Sequence, residues 1–326
     1  MIPDTNTDSR LSLVKIEEAC RVVDPVFLNM PQFHSEPLSD TLGMKLILKV
    51  ETVNPIRSFK GRGADFFTSQ LPGEIPKLVC SSAGNFGQGL AYAARKRGFH
   101  LTVFGAESAS PMKVECMRQL GAEVRLSGQD LAAAKQLAKE FARATGALFV
   151  EDGFEPAISE GAGTIAVELC RWPEPLDFLV VPLGDGALLS GLGRWMKTHS
   201  PQTRLVAVCA AGAPAMALSF RQGSVQSTET VSTIADGIAV RLPIPEAFDD
   251  LKSVVDEVLL VNDDSIIQAM QLTFRHHGLV TEPAGAAGLA ALIAYKERFN
   301  GAVVATILTG GNLASEQIRQ WLSGAC

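Results

Sequence analysis

Short apolar segments rich in β-branched residues alternate along this chain with longer segments of helical composition. The apolar segments are KLILKVE (45–51), KLVCS (77–81), HLTVFGA (100–106), EVRLS (123–127), ALFVED (147–152), DFLVVPLG (177–184), RLVAVCA (204–210) and VVATILTGG (303–311). Between them lie segments rich in Ala, Leu, Glu, Lys and Gln, such as 85–97, 130–145 and 156–171. Buried parallel strands joined by crossover helices have this pattern. The sequence therefore predicts a doubly wound α/β fold.

The spacing of the predicted strands changes along the chain. Those between about residues 77 and 127 are short and close together, whereas those after residue 177 have longer connections. Because consecutive strands usually neighbour each other in one sheet, this change predicts two lobes, each with its own sheet. The segment 211–240 has the weakest periodicity, and we expect irregular structure there, around the mouth of an active site.

Composition excludes several classes of function. The 326 residues carry a net charge of −6, which does not favour binding to nucleic acid. Apolar runs such as LAALIAY (289–295) are far shorter than the ~20 residues that span a bilayer. The N-terminus has no secretory signal pattern, and the six cysteines form no C-x-x-C pair. We therefore expect a cytoplasmic protein with reduced thiols that binds neither nucleic acid nor membrane.

A glycine-containing turn follows the predicted strand at 177–184. The stretch PLGDGALLSGLG (182–193) opens a helical segment, where backbone N–H groups and the helix dipole bind phosphate well. An NAD(P)-dependent oxidoreductase is the competing interpretation, but the glycines do not have the G-x-G-x-x-G spacing. The next strand, RLVAVCA, also ends without an acidic residue for a ribose. A purely structural turn is the third alternative.

Two further strand ends are polar. CSSAGNFGQG (80–89) precedes a helix, so Asn85 is either an N-cap or a donor to a ligand, and the free N–H groups of the turn suit a carboxylate. LTGGN (308–312) places the hydroxyl of Thr309 at the carboxyl edge of the sheet. Ligands of open α/β sheets bind at that edge.

The stretch NPIRSFKGRGADF (54–66) places Arg57 and Lys60 between a proline and a hydrophobic helix start. Taken alone, it is typical of a solvated charge cluster. Together with six other stretches, however, it resembles fold type II pyridoxal-phosphate enzymes of the serine/threonine dehydratase (threonine ammonia-lyase) group, over nearly the whole chain. The matching stretches, in the family's order, are SFKGRGA, SSAGNFGQG, PMKVECMRQLGAEV, PLGDGALLSG, TIADGIAV, EPAGAAG and LTGGN.

The resemblance implies a fold like that of the tryptophan synthase β chain. Residues 1–77 and 151–326 would form a large domain that binds pyridoxal 5′-phosphate (PLP), and residues 78–150 a small mobile domain that binds the substrate carboxylate. Lys60 would form the Schiff base with the cofactor and act as catalytic base, with a pKa lowered by desolvation.

The resemblance also assigns the remaining site residues. Asn85 would contact the ring hydroxyl of the cofactor and Thr309 its pyridine nitrogen. The phosphate would be bound by the turn made of Gly184, Asp185, Gly186, Ala187 and Leu188. The substrate carboxylate would be bound by Ser82, Ala83, Gly84 and Asn85. Arg57 is a further candidate for substrate binding, the alternative being an ion pair that braces its loop, and Glu282 is a minor candidate near the cofactor.

Three residues depart from the family's pattern. Asp185 lies inside a phosphate turn that often contains four glycines, and we expect its carboxylate to point outward, away from the phosphate. Ala211 stands where many relatives have a glutamate that helps to bind a divalent cation, so we expect no metal. Ala83 stands where relatives that racemise serine have an acid/base serine, which disfavours racemisation.

The predicted reaction is β-elimination from a β-hydroxy amino acid such as threonine, serine or a 3-substituted serine, giving a 2-oxo acid and ammonia. Thr309 would offer the pyridine nitrogen a hydroxyl that cannot keep it protonated, which favours quick loss of a β-substituent. The alternatives are β-replacement of the cysteine synthase or diaminopropionate synthase type, threonine synthase-like chemistry, an NAD(P)-dependent oxidoreductase and a non-catalytic binding protein. The partner is a small amino acid, and a homodimer is the candidate assembly.

Overall fold

The computed structural model describes residues 9–73, 77–82 and 84–323. Within them, strands β1 to β10 form two sheets. The strands are β1 (Gln32–His34), β2 (Lys45–Val50), β3 (Leu78–Ser81), β4 (Leu101–Gly105), β5 (Glu123–Leu126), β6 (Leu148–Val150), β7 (Phe178–Pro182), β8 (Arg204–Ala210), β9 (Glu257–Val261) and β10 (Val303–Leu308).

The larger sheet has six strands in the order β1-β2-β10-β7-β8-β9. Its neighbouring strands are parallel except β1, which pairs antiparallel with β2 at the edge. The smaller sheet has four parallel strands in the order β5-β4-β3-β6. All parallel strands of one sheet end at the same edge, so each sheet presents one row of carboxyl-end turns.

Helices cover the faces of both sheets. They are α1 (Leu13–Val22), α2 (Glu36–Leu42), α3 (Lys60–Ser69), α4 (Asn85–Arg97), α5 (Pro111–Gln119), α6 (Leu131–Thr145), α7 (Pro156–Leu169), α8 (Ala187–His199), α9 (Ala215–Gln222), α10 (Pro245–Lys252), α11 (Asp263–His277), α12 (Pro283–Ala294) and α13 (Ser315–Leu322).

The six-stranded sheet is buried on both faces. Leu46 and Leu48 of β2 point to the face covered by α12, whereas Ile47 between them points to the face covered by α1, α7 and α8. Helix α12 is apolar all round, as expected for a helix inside a large core. Near-continuous apolar runs in β2, β7, β8 and β10 follow from burial on two sides.

The predicted fold class is confirmed, including the two mainly parallel sheets. Two strands were not predicted: β1, which has three residues, and β9, whose apolar segment runs directly into α11. The segment 211–240, predicted to be irregular, contains the regular helix α9, so the prediction is wrong for that part. Strands β3 to β6 all lie within residues 78–150, and the independent movement of that segment stays a prediction.

No helix in the described part of the chain has both the length and the apolar character needed to cross a bilayer.

Candidate active site

A cavity of about 710 Å³ lies where strands of both sheets end. Residues just past β3, β6, β7 and β10 line it, represented by Ser82, Asp152, Gly184 and Thr309. Its size falls in the range of about 300–1,000 Å³ that is usual for small-molecule sites. The cavity therefore lies at the edge where ligands of open α/β sheets bind.

Lys60 is the first residue of α3, and the loop before it is held against the end of β10. The backbone N–H of Phe59 donates to the carbonyl of Thr309 at 3.1 Å, and Ser58 bridges to Gly310. The side chain of Asn54 bonds both the N–H and the carbonyl of Ser58. These contacts fix the backbone at Lys60 and direct its side chain into the cavity.

Two carboxylates contact the amine of Lys60. Asp152 Oδ2 accepts a short hydrogen bond from Lys60 Nζ, and Asp185 Oδ2 lies 3.2 Å from the same nitrogen. Burial lowers the pKa of Lys60, but the charges of Asp152 and Asp185 outweigh it and hold the pKa above its ordinary value. The expectation of a lowered lysine pKa is therefore wrong for the free amine of Lys60 between these two carboxylates.

Asp185 does not point outward, so that prediction is wrong. Its Oδ1 accepts a hydrogen bond of 3.0 Å from the N–H of Ala187, while Oδ2 faces Lys60. The positive start of α8 and the lysine amine both attract this carboxylate. Burial raises the pKa of Asp185, but the charge of Lys60 and the hydrogen bond from the N–H of Ala187 outweigh it and lower the pKa.

Asp152 is a site residue that the sequence analysis missed. It follows β6 directly, at the end of the apolar segment 147–152, and its side chain is 12% exposed. Burial and the neighbouring charge of Asp185 raise its pKa. Its position after a predicted parallel strand was the available signal, because such positions reach the carboxyl edge of the sheet.

The turn before α8 lines the cavity with Gly184, Asp185, Gly186 and Leu188, as predicted for the phosphate turn. Gly186 has a φ of 106° and is the N-cap of α8, a conformation that residues with a side chain rarely adopt. A Cβ on Gly186 would also lie 2.9 Å from Leu251 Cδ1. Ala187 is buried beside them, with its N–H on Asp185.

The turn predicted to bind the substrate carboxylate begins helix α4. Ser82 Oγ accepts hydrogen bonds from the N–H groups of Gly84 and Gly87, at 3.3 and 3.1 Å, and Ser82, Gly84 and Asn85 line the cavity. Ala83 lies outside the described residues. Ser82 thus caps two N–H groups at the start of α4.

Asn85 and Glu282 connect the two sheets inside the cavity. Asn85 Nδ2 donates a short hydrogen bond to Glu282 Oε1, and Asn85 Oδ1 accepts one of 2.8 Å from Asn312. Lys113 Nζ lies 3.4 Å from Glu282 Oε2 and 2.7 Å from Asp236 Oδ2. Burial raises the pKa of Glu282, and Lys113 opposes the increase. Lys113 was not predicted as a site residue, although it lies in the stretch PMKVE (111–115).

Thr309 and Arg57 have different positions relative to the cavity. Thr309 is 5% exposed and lines it. Arg57 is exposed and is not among the lining residues. Its backbone instead closes the loop, with a φ of 52°, an N–H bond to Asn54 and a carbonyl that accepts from Gly311. The structure therefore brings together the other predicted site residues that it describes, but not Arg57.

A buried ionic network supports α3 beneath the cavity. Arg62 binds Glu51 in a bidentate manner at 2.8 and 2.9 Å, and it binds Glu168 at 2.6 and 2.9 Å. Lys49 Nζ also contacts Glu168, at 2.5 Å. The network joins β2, α3 and α7, so it holds the helix that begins with Lys60.

The chain is similar in sequence and in fold to known proteins. A family model described as pyridoxal-phosphate dependent enzyme matches residues 23–310. The L-threonine ammonia-lyase of Thermotoga maritima is 34% identical over 305 residues, covering 93% of this chain and 76% of that protein. The structure of maize serine racemase matches with a TM-score of 0.90 at 26% identity, over 95% of this chain and 96% of that one. The crystal structure of the T.th. threonine deaminase matches with a TM-score of 0.87 at 31% identity, over 93% and 99%.

Proposed function

The chain belongs to the pyridoxal-phosphate dependent enzyme family, and on that basis we propose that it catalyses PLP-dependent β-elimination of a β-hydroxy amino acid. The substrate class comprises threonine, serine and 3-substituted serines, and the products are a 2-oxo acid and ammonia. Relatives named threonine ammonia-lyase and threonine deaminase support this reaction. The observation that carries the proposal is the amine of Lys60 in one cavity with Thr309, Asn85 and the start of α8.

The residues of the cavity fit PLP. Lys60 offers an amine for the aldehyde, Asn85 an amide for the ring hydroxyl, and Thr309 a hydroxyl for the pyridine nitrogen. The turn 184–188 offers N–H groups at a helix start for the phosphate. Two buried polar atoms of the lining, Ser81 Oγ and Asp152 Oδ1, have no hydrogen-bond partner among the described residues, which is expected of a cavity built for a polar ligand.

Each part of the chain then has a defined task. The turn 82–85 binds the substrate carboxylate, and Lys60 removes the α-proton as general base. When bound, the cofactor supplies an electron sink next to the reacting carbon. Thr309 offers a hydroxyl where a carboxylate would keep the pyridine nitrogen protonated, which favours rapid loss of the β-hydroxyl over transamination.

The experiment is a substrate panel. Protein saturated with PLP is incubated separately with L-threonine, L-serine, 3-hydroxyaspartate and phenylserine. The 2-oxo acid and the ammonia released are measured over time, and elimination should give them in equal amounts. We expect release from at least one of these substrates without any added nucleophile. Oxo acid formation from none of them, with a new amino acid formed only when sulfide is added, would replace elimination by β-replacement.

An absorption band separates both PLP reactions from other classes. The loaded protein should absorb at about 410 nm, and the band should disappear on reduction with borohydride, because it comes from a conjugated imine. An oxidoreductase or a non-catalytic binding protein without PLP would show no such band. The homodimer and the cytoplasmic location stay predictions, which sedimentation and cell fractionation would test.

A further inference from the structure

The carboxylate of Asp185 occupies an anion position at the start of α8. Its Oδ1 lies 3.0 Å from the N–H of Ala187, and its Oδ2 lies 3.2 Å from Lys60 Nζ. It is thus placed between the positive end of a thirteen-residue helix and a lysine cation. These are the same two positive groups that a bound PLP engages, with its phosphate at the turn and its aldehyde at Lys60.

Asp152, the second carboxylate at Lys60, differs from Asp185 in two ways. It follows β6 and, among the described residues, makes no hydrogen bond with the backbone of the α8 turn. Its side chain is also more buried, with 12% exposed against 29% for Asp185. Asp185 is therefore the more exposed of the two carboxylates, and the contact of Lys60 with Asp152 does not use the backbone at the start of α8.

A phosphate dianion and the Asp185 carboxylate cannot share the start of α8 at low cost. Like charges a few ångströms apart in a partly buried site repel strongly, and Asp185 already uses the N–H of Ala187. We propose that Asp185 is a displaceable stand-in for the cofactor phosphate: it occupies the phosphate position in the cofactor-free protein and must move out when PLP binds.

This arrangement has a consequence for ligand choice. Asp185 weakens binding of the phosphate-bearing cofactor specifically, because the carboxylate competes for the phosphate position. Asp152 affects the charge of Lys60 and hence the reaction with any aldehyde, with or without a phosphate. The inference rests on the assignment of Lys60 and the turn 184–188 to the cofactor and does not depend on the amino acid substrate.

The test compares PLP with pyridoxal, which has the same aldehyde and ring but no phosphate. Dissociation constants of both are measured by absorbance titration for the cofactor-free wild type, Asp185→Asn, Asp185→Gly and the control Asp152→Asn. Asparagine keeps an oxygen for the Ala187 N–H but carries no charge. We expect the ratio of the pyridoxal constant to the PLP constant to rise about tenfold or more in both Asp185 variants, given the strength of a close charge pair.

The control variant should change both constants by a similar factor and leave the ratio as in the wild type. A second readout needs no imine: inorganic phosphate should raise the melting temperature of cofactor-free Asp185→Asn more than that of the wild type. An unchanged ratio in both Asp185 variants, or an equal rise in Asp152→Asn, would overturn the proposal. Failure of the lyase assignment would appear in the oxo acid assay instead, so the two outcomes are distinguishable.

Discussion

Lys60 Nζ lies between two carboxylates, and this position sets its protonation state before the cofactor binds. Asp152 and Asp185 keep the pKa of the amine above its ordinary value despite burial. An amine must lose its proton to attack an aldehyde. Burial and the charge of Asp185 raise the pKa of the contacting Asp152, so Asp152 is the nearest group able to accept that proton.

Arg57 illustrates a residue with a backbone role. Its φ of 52° is in the left-handed region, where a residue with a Cβ is strained by about 1–2 kcal/mol. Its N–H and carbonyl tie Asn54 to Gly311, while its side chain is exposed. The backbone of Arg57 thus fixes the conformation of the loop, and its guanidinium is not needed in the cavity for that role.

We therefore predict that Arg57→Gly leaves the free energy of unfolding within about 0.5 kcal/mol of the wild type, because relief of strain offsets the flexibility of glycine. Arg57→Val should cost about 2 kcal/mol, because a β-branched residue at positive φ is strained further. Urea unfolding measures both. If Arg57→Gly instead lowered kcat/KM for one substrate of the panel only, Arg57 would be a substrate-binding residue after all.

At the scale of elements, α3 is positioned by the buried network of Arg62, Lys49, Glu51 and Glu168. Burial alone would raise the pKa of Glu168, but Arg62 and Lys49 outweigh it and hold the pKa below its ordinary value. A carboxylate of this kind stabilises the fold at pH values above its unfolded pKa, and the contribution is lost as pH falls through the lowered pKa.

Glu168→Gln should therefore reduce the free energy of unfolding by about 3 kcal/mol near pH 7, because two buried cations lose their compensating charge. The deficit should shrink progressively as the pH is lowered below the ordinary pKa of a glutamate and through the lowered pKa of Glu168, since the wild-type carboxyl then becomes protonated as well. Lys15→Gln, which removes a surface pair with Glu18, is the control and should change little. A deficit that did not depend on pH would assign Glu168 to packing.

The elements differ in how visible they are in the sequence. Strands β2, β7, β8 and β10 are buried on both faces, so continuous apolar runs mark them. Strand β1 is too short to carry a pattern, and it forms only because β2 offers it a free edge.

The residues of the candidate site also differ in how visible they are in the sequence. The glycine-rich turns at 80–89 and 182–193 were recognisable because their small residues follow predicted strands. Asp152 and Lys113 are single charged residues at a strand end and on a helix, where most charged residues are solvated. Only the tertiary structure brings them to Lys60 and Glu282. The direction of Asp185 was missed because it depends on Lys60, which is distant in sequence.

At the scale of the whole molecule, side-chain contacts across the cavity join two parts of the chain. The first is the segment 78–150 with the smaller sheet, and the second is the part that carries the larger sheet. Asn85 and Lys113 belong to the first, whereas Glu282 and Asp236 belong to the second. Glu282 is buried, so its charge depends on Lys113 for compensation. We expect the ion pair between Lys113 and Glu282 to restrain the predicted movement of the segment 78–150.

We predict that Lys113→Met weakens this contact and increases hydrogen–deuterium exchange in α4 and α5, while β7, β8 and β10 stay protected. The reason is that Glu282 would face the smaller unit without a compensating cation. Mass spectrometry of proteolytic peptides locates the change, and Lys252→Met, which removes an exposed pair with Asp249 within α10, is the control. A uniform increase in exchange across the chain would indicate general destabilisation. Unchanged exchange in α4 and α5 would show that Lys113 does not restrain the segment 78–150.

The central claim is that Lys60 binds the aldehyde of the cofactor in this cavity. The most direct measurement is borohydride reduction of the PLP-loaded protein, followed by digestion and mass spectrometry of the labelled peptide. We expect one phosphopyridoxyl group, on Lys60. In Lys60→Ala both the label and the release of oxo acid should be lost, while the circular dichroism spectrum of the cofactor-free protein stays that of the folded wild type. A stable label on another lysine, or turnover retained in Lys60→Ala, would contradict it.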